Sequence, residues 1–184
     1  KGFKNFISKF DGKAATINNF IDSIFFNYKE INVDAFKFWY KQNGTPKVII
    51  KRSWDAINRK LTLTFSQIDN SGKPLIIPIN IAVFTDSGKF KKYKFILKDK
   101  KDILIIEDLN TKINMPIVTY FREFSAPVIW ETDTSYDEEI FIIENEIDLF
   151  SVYDSIERLY KYIISKRLEN EINFDIEDKL INAI

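Results

Sequence analysis

The 184-residue sequence contains no histidine and no cysteine. Without these residues the chain has no zinc ligand set of the usual type, no Ser-His-Asp triad and no Cys-His pair, so hydrolysis by those routes is excluded. A disulfide framework is excluded as well, and no oxidising compartment is required, which is compatible with a cytoplasmic location. We therefore expect no catalytic, cofactor-binding or metal-binding residue in this chain.

Glycine is also scarce, and long apolar runs are missing. The five glycines are scattered singly, so they cannot form a glycine-rich phosphate loop. No apolar run approaches the roughly 20 residues that span a bilayer. The first residues, KGFKNFISKFDGK, are too charged for the apolar part of a signal peptide. These absences predict a soluble protein that has no membrane partner.

Apolar residues are nevertheless abundant, at 45% of the chain, and they begin with a helical period. Residues 1–10 and 17–28 each place apolar side chains on one face, and Thr16 is a suitable N-cap for the second helix. Asp34 is expected to cap a short third helix. In that helix the side chains with the spacing of a buried face are Phe36, Trp39 and Tyr40.

The segment 36–46, FKFWYKQNGTP, is the point at which the helical pattern ends. Gly44 can adopt the left-handed conformation that terminates helices, and Pro46 lacks the N–H that a helix needs to continue. From residue 47 the period becomes two, which predicts about seven short strands and an antiparallel β-sandwich. The predicted strands are Lys47–Ile50, Leu61–Phe65, Leu75–Phe84, Lys91–Leu97, Ile103–Glu107, Ile117–Arg122 and Pro127–Thr132.

Two positions refine the predicted sandwich. Pro78 cannot donate to a ladder, which places its strand near an edge or a bulge. The charged run Lys98–Lys101 is expected to be a solvated hairpin tip.

The helical period returns after residue 133, with helices predicted at 136–146 and 151–167 and a third near Asp175. The pattern therefore predicts an α+β chain in which helices flank a small antiparallel sandwich. The predicted divisions are residues 1–43 for the first helices, 44–133 for the sandwich and 134–184 for the last helices.

Several acidic residues are candidates for chemistry. Glu138 and Glu139 are neighbours on a predicted helix and point apart, which does not suit two carboxylates that share a substrate. Glu107 and Asp108 follow a strand and enter a loop. The segment Asp86–Gly88 lacks the spacing of an EF-hand calcium loop. None of these arrangements is favoured as a site.

Serine and tryptophan provide weak candidates. Ser8, Ser125 and Ser151 have no neighbouring base in sequence that would activate a hydroxyl. A ligand box around Trp39 or Trp54 is less favoured than ordinary core packing.

Charge is distributed unevenly along the chain. Residues 1–101 contain 20 Lys and Arg against 8 Asp and Glu, and residues 102–184 contain 7 against 19. The basic half could bind nucleic acid, but no glycine-bearing aromatic motif accompanies the lysines. Two solvated surfaces that attract each other or neighbouring domains are the simpler interpretation, and no nucleic-acid partner is expected.

Six motifs in order resemble the aminopeptidase N (alanyl aminopeptidase) family of zinc metallopeptidases. Between Lys1 and about Leu159 they are DGKAAT at 11–16, FWYKQNGTP at 38–46, LTLTFSQ at 61–67, KPLIIPI at 73–79, IEDL at 106–109 and FSAPV at 124–128. Two departures occur, since YKQNGTP lacks the family's usual Ser before the Gly, and VYDSIERL lacks a Trp or Arg common near that helix start.

The resemblance implies a position within a four-domain enzyme. Residues 1–43 would be the last helices of the catalytic domain, 44–133 the fibronectin-like sandwich and 134–184 the first helices of the C-terminal domain. Family members remove N-terminal amino acids from peptides with a zinc held by H-E-x-x-H and a distant Glu, and they recognise the free amine with G-x-M-E-N. The chain contains neither motif, so the resemblance implies a scaffold role, with zinc and peptide substrates bound elsewhere in the full-length protein.

The chain starts without Met and ends inside an apolar pattern, so we expect a fragment that packs against missing catalytic and helical domains. Its apolar stripes at residues 17–40 should then be partly uncovered, and the isolated chain should bind hydrophobic dyes or self-associate. Two other hypotheses stay open at this point. One is a stand-alone β-sandwich that binds protein or nucleic acid, and the other is a catalytically inactive relative that acts as an interaction protein.

Overall fold

A computed structural model describes residues 1–28, 32–68, 72–85, 89–109, 111, 115–171 and 174–184. The helices are α1 Gly2–Phe10, α2 Ile17–Phe25, α3 Val33–Lys37, α4 Tyr136–Asn145, α5 Leu149–Leu168 and α6 Phe174–Ala183. The strands are β1 Lys47–Asp55, β2 Lys60–Ile68, β3 Ile77–Phe84, β4 Phe90–Leu97, β5 Lys101–Ile106, β6 Val118–Thr119 and β7 Ile129–Glu131. Short 3-10 helices occupy Phe38–Tyr40 and Arg122–Phe124. The α+β class and the strand pattern are confirmed.

The strands form two sheets, with orders β5-β2-β1-β7 and β4-β3-β6. Alternating apolar residues of β1, β2 and β3 face each other between the sheets, as a period of two requires. The fully buried side chains of this core include Val48, Ile50, Leu61, Leu63, Phe65, Ile77, Ile79 and Ile81. The pairing is antiparallel except between β1 and β7, which run parallel with Lys47 opposite Ile129. The prediction of an entirely antiparallel sandwich is wrong at this one edge.

Pro78 lies in β3, the middle strand of the three-stranded sheet. The amide groups of Asn80 and Phe84 point toward the β6 side, where they donate to Ser125 Oγ and the Ile117 carbonyl. Because N–H directions alternate along a strand, the missing N–H of Pro78 would have pointed to that side too. β6 pairs only with Ala82 and Val83, so no ladder bond is lost at Pro78. The prediction that this strand lies near an edge or a bulge is wrong, because β3 has a neighbour on each side and Pro78 is tolerated only because β6 is too short to reach it.

The connection between β4 and β5 differs from the prediction. β4 pairs with β3 and β5 pairs with β2, so the residues 98–100 cross from one sheet to the other and are not a hairpin tip. Gln67 holds this crossing, since its side-chain amide donates to the carbonyls of Leu75 at 3.1 Å and Asp99 at 2.8 Å. The exposure of Lys98 and Lys100 agrees with the expected solvated charge cluster.

The N-terminal helices begin largely as predicted. Thr16 and Asn19 form a reciprocal capping box at the start of α2, although this helix ends at Phe25 and not at residue 28. Asn32 caps α3 by accepting the Ala35 N–H, and Asp34 lies inside the first turn, so the predicted cap is wrong. Asn and Asp are both favoured as N-cap residues, so the sequence alone does not show which of these two positions caps the helix.

The aromatic segment after α3 attaches these helices to the sandwich. Trp39 packs on the core and donates its Nε1–H to the Ile76 carbonyl at 2.9 Å. Phe36 is half-buried, but Tyr40 is exposed, so it does not share the predicted buried face. Gly44 has a φ of 81°, which is the left-handed conformation expected where the chain turns into β1.

Ser135 and Asp148 are the N-cap residues of the C-terminal helices α4 and α5. On the apolar stripe predicted for α5, Leu159 is buried, whereas Tyr153, Tyr160 and Ile164 are exposed. In the part of the chain that the structure describes, no helix is long and apolar enough to cross a membrane.

Candidate functional site at the joint between the sandwich and the helices

The carboxylates considered from sequence are not brought together. Glu138 binds Arg52 of β1, and Glu139 faces α5. Glu107 and Asp108 are exposed after β5. The segment 86–88 lies outside the described residues. Among the residues that are described, no group of three or more acidic side chains is placed to hold a metal ion.

The serine and tryptophan candidates take part in structural contacts or lie exposed. Ser8 is exposed on α1. Ser125 accepts the Asn80 N–H at 3.1 Å, and the Ser151 hydroxyl donates to Asp148 at 2.8 Å. Trp54 packs against the sandwich core, as Trp39 does. These contacts agree with the packing interpretation.

A buried carboxylate joins the sandwich to the turn between α4 and α5. The Glu146 side chain is completely buried and accepts four hydrogen bonds. Arg122 Nη2 donates to Oε1 at 2.7 Å and Thr119 Oγ1 to Oε2 at 2.9 Å. The N–H groups of Ile147 and Asp148 donate to Oε1 at 2.8 and 3.0 Å. The charge is therefore paired and its lone pairs are used, as a buried carboxylate requires.

Arg122 lies over the outer face of the three-stranded sheet. Its guanidinium carbon is 4.8 Å from the centre of the Phe90 ring, a distance at which a cation and an aromatic face attract. The Arg122 side chain is only 3% exposed, and its Nε has no hydrogen-bond partner among the described residues. Loss of Glu146 would leave the buried Arg122 guanidinium without a compensating charge.

The chain around Arg122 is held in an unusual backbone conformation. Phe121, Glu123 and Phe124 have φ values of 52°, 60° and 50°, which is costly for residues with a side chain. As a result neighbouring groups point in different directions. Phe121 enters the sandwich core, the Glu123 N–H donates to the Asp148 carboxylate, and the Phe124 ring packs 5.2 Å from that of Phe150. The strained turn thus fixes the sandwich to the start of α5.

A second joint connects β1 to the start of α4. Arg52 is 3% exposed and donates to both carboxylate oxygens of Glu138, at 2.8 and 2.9 Å. It also donates to Asp133 Oδ1 at 2.6 Å and to the Asp133 carbonyl at 3.0 Å. Burial disfavours the charge, but the hydrogen bonds to Glu138 and Asp133 outweigh it and raise the pKa of Arg52. Glu138 also completes the α4 capping box with Ser135.

A small polar cavity lies between β6, β7, α4 and α5. Its volume of about 20 Å³ is enough for one water molecule. Glu139 and Asp154 line it together with Arg158, which donates to Asp154 at 2.7 Å and stacks 5.0 Å above the Trp130 ring. Burial raises the pKa of Glu139 and that of Asp154, although Arg158 opposes the shift in both. Tyr120 also lines the cavity, and its hydroxyl is buried.

The adjacent Glu138 and Glu139 should affect stability in opposite directions. Burial raises the pKa of Glu138, but the hydrogen bonds with Arg52 and Ser135 lower it by more, so the folded pKa lies below the usual value. The stabilisation by Glu138 is therefore fully present above the unfolded pKa of about 4.3 and is lost as the pH falls through the lower folded pKa. Glu138→Gln should therefore cost about 1–3 kcal/mol at pH 7.

Glu139 has a raised pKa, so the folded state loses stability as the pH rises from about 4.3 through the folded pKa. Glu139→Gln should stabilise the protein at pH 7 and weaken this decline, while Asp154 keeps its own part. Urea unfolding from pH 4 to 8 measures both effects. Equal destabilisation by the two variants would contradict this assignment.

The joints were missed by sequence reasoning that searched for chemical constellations. One signal was available, since Arg52 lies at an inward position of β1 in the alternation Val48, Ile50, Arg52, Trp54. A charged residue on the core face of a strand predicts a buried partner. The partners themselves, Glu138 and Glu146, are distant in sequence and carried no comparable signal.

Comparison with known domain families identifies the class of the central region. Residues 44–133 match the family described as domain of unknown function (DUF3458) with an Ig-like fold. This range contains all seven strands.

Comparison with known proteins then extends the similarity to almost the whole chain. The chain is 28% identical to aminopeptidase N of Escherichia coli (strain K12) over 86% of its length and 26% identical to aminopeptidase N of Haemophilus influenzae over 100%. Aminopeptidase N of Caulobacter vibrioides is 29% identical over 91% of this chain. The chain spans only 20%, 23% and 20% of these relatives.

The fold is shared with a solved enzyme structure. Legionella pneumophila aminopeptidase A in complex with aspartic acid superimposes with a TM-score of 0.81 and 22% identity, and the match covers 91% of this chain and 19% of that one. These similarities confirm the resemblance to the aminopeptidase N family that the motifs indicated, and the structural match shows a shared fold.

Proposed function

We propose that this chain is a non-catalytic bridging region of a zinc-dependent aminopeptidase whose full-length form removes N-terminal amino acids from peptides. The relatives named aminopeptidase N support the activity of the parent. The division into residues 1–43, 44–133 and 134–184 is proposed to separate the end of a catalytic domain, the sandwich and the start of a helical domain. The cytoplasmic location expected from the sequence stays a prediction.

The observation that carries this proposal is the pair of buried joints. Arg122–Glu146 and Arg52–Glu138 attach helices to the sandwich, and Trp39 attaches the preceding segment on the N-terminal side. Side chains that bridge secondary-structure elements from buried positions restrict their relative orientation. A region of this kind can hold a catalytic domain and a helical domain in fixed positions around a substrate space.

The residues of this chain do not fit a zinc site. The sequence has no histidine or cysteine, and the described acidic residues do not form a cluster of three. Zinc coordination and the activation of water would therefore be supplied by other parts of the full-length protein. The contribution proposed for this chain is positional.

The test compares the full-length protein with the isolated chain in an assay of alanine release from an alanyl anilide. The full-length protein should be active and should lose activity with a chelator, and the isolated chain should be inactive. Release by the chain alone at a chelator-independent rate would overturn the bridging role. A full-length protein that folds but lacks activity would overturn the enzymatic part of the proposal and favour an interaction module.

The isolated chain should bind a hydrophobic dye. On α5 the outward side chains of Tyr153, Tyr160, Ile164 and Leu168 are all at least half exposed. Phe3 on α1 and Phe26 directly after α2 are exposed as well. Several exposed apolar side chains on one helix face are unusual on a monomer and normally contact another surface. Fluorescence of 8-anilinonaphthalene-1-sulfonate should increase on addition of the chain.

A matched pair of α5 variants tests the location of dye binding. The double variant Ile164→Glu, Leu168→Glu should lower the dye signal roughly twofold or more, because it places charges on the stripe. Ser165→Glu adds a charge at a neighbouring exposed polar position and should leave the signal unchanged. A chain without dye binding that is also monomeric would show that the stripe is covered in solution.

A further inference from the structure

The strand β4 forms one edge of the three-stranded sheet, and its outer side is open in the described part of the chain. It pairs with β3 over all eight residues from Phe90 to Leu97. In the order β4-β3-β6 no described strand follows on the other side. An edge of this length presents a row of backbone donors and acceptors to solvent.

The register shows which backbone groups face this open edge. Asn80 and Phe84 of β3 direct their N–H groups toward β6, so the odd-numbered residues of β3 face β4. These residues oppose odd-numbered residues of β4, as in the pair Ile79 and Phe95. The even-numbered residues of β4 therefore direct their N–H and C=O groups outward. They are Phe90, Lys92, Lys94 and Ile96.

The side chains of the same residues lie on the outer face of the sheet. Phe95 stacks on Phe65 in the core, so its even-numbered neighbours point away from the core. Lys92, Lys94 and Ile96 are exposed. Two ammonium groups thus occupy alternate positions directly beside free backbone groups.

The edge is strongly basic and its charge is not neutralised locally. Residues 89–101 contain seven lysines and one acidic residue, Asp99. The ion pairs between described residues involve lysines and arginines of α3, β1, the turn at Arg122 and the helices α5 and α6, and none involves Lys92 or Lys94. Lysines on an edge strand repel a second copy of the same edge, which protects against self-association.

We propose that the β4 edge binds an extended acidic peptide as an added antiparallel strand, with acidic residues opposite Lys92 and Lys94. Side chains on one face of an extended peptide repeat every second residue, which matches the spacing of these two lysines. The same lysines that repel the basic edge of a second copy attract a strand with acidic side chains. This inference goes beyond the bridging role and does not depend on it.

A peptide fits this edge better than a nucleic acid does. Only another polypeptide backbone can satisfy the alternating N–H and C=O groups of a strand edge. The aromatic residues of β4 that could stack on bases are already in contact with other side chains. Tyr93 and Phe95 pack against the sandwich core, and the Phe90 ring lies against Phe84 and the Arg122 guanidinium. A nucleic acid would therefore meet lysines without a stacking platform.

The first experiment measures fluorescence anisotropy with a labelled ten-residue peptide that has Glu at alternate positions and Thr between them. The double variant Lys92→Glu, Lys94→Glu should weaken binding about tenfold, because two attractive cross-strand pairs become repulsive. The control Lys13→Glu, Lys51→Glu makes the same charge change at two exposed lysines outside β4 and should stay within about twofold at physiological salt. Equal weakening by both variants would overturn the assignment to β4.

The second experiment tests the backbone pairing. In an antiparallel pair the Glu residues opposite Lys92 and Lys94 direct their N–H groups at β4, and the intervening Thr residues direct theirs away. N-methylation of the Glu residues should abolish binding, whereas N-methylation of the Thr residues should largely preserve it. Unchanged affinity of both peptides would overturn strand addition. Lysine-dependent binding of oligothymidylate without peptide binding would overturn the peptide in favour of a nucleic acid.

Discussion

Glu146→Ala is expected to lower the free energy of unfolding by about 3–5 kcal/mol, the largest effect of a single polar substitution in this chain. The Glu146 side chain is completely buried and Arg122 is 3% exposed, so solvent cannot replace the lost partner without opening the joint. The substitution also removes the acceptor of the Thr119 hydroxyl and of two backbone N–H groups. Urea denaturation followed by circular dichroism measures the loss.

The double variant Arg122→Met, Glu146→Gln is the control for this interpretation. Gln keeps an acceptor for Thr119 and the turn amides, and Met fills the arginine volume without a charge. If the cost of Glu146→Ala arises from an uncompensated buried cation, the double variant should cost clearly less than the single one. A free energy of unfolding of Glu146→Ala within about 1 kcal/mol of the original protein would contradict the importance of this joint.

Arg52→Ala is expected to cost about 2–4 kcal/mol, which is the second largest effect. This loss of stability is smaller than that expected for Glu146→Ala, because the carboxylates left without Arg52 can be hydrated. The Glu138 side chain is 17% exposed and that of Asp133 is 45% exposed. Arg52→Lys should be intermediate, because one ammonium group cannot reproduce the paired hydrogen bonds of the guanidinium to Glu138. Urea unfolding at pH 7 measures the series.

Lys51→Ala is the matched control for Arg52, since it changes the adjacent residue of β1 on the exposed face. It should alter the free energy of unfolding by less than about 0.5 kcal/mol.

The pH dependence of unfolding provides an independent test of the Arg52–Glu138 pair. Arg52→Met should weaken the acid-side loss of stability assigned to Glu138, because Arg52 contributes to the lowered pKa of that carboxylate. An unaltered pH dependence would contradict the assignment.

Some residues whose signal is local, such as Thr16, were predicted correctly, whereas no pairing between residues distant in sequence was predicted. Thr16 caps α2 as expected because its acceptor acts on a residue three positions away. Pro78 loses no ladder bond, as its missing N–H requires, but the edge position predicted for its strand is wrong because β3 is the middle strand. By contrast, Glu138 and Glu139 are indistinguishable in sequence, yet one pairs with Arg52 of β1 and the other faces α5.

The candidate joint could be predicted only in part. FSAPV at 124–128 is recognisable as a motif, but nothing in the sequence predicts the left-handed backbone at Phe121, Glu123 and Phe124, since none of these residues is glycine. Such conformations are held by surrounding contacts, here the core around Phe121 and the Asp148 carboxylate that accepts the Glu123 N–H. The crossing of residues 98–100 between sheets was missed for a related reason, because strand spacing does not reveal which strands pair.

By itself the sequence determined the α+β class, the approximate positions of the helices and strands, the lack of a histidine or cysteine ligand set and the resemblance to the aminopeptidase N family. These properties follow from composition, from periods of 2 and 3.6 residues and from short motifs, all of which are local. Only the tertiary structure decided that Arg122 meets Glu146, that Arg52 meets Glu138 and that β4 lies at an open edge. Buried charges choose partners by distance and solvent exclusion, which become defined only when the two sheets and the helices pack together.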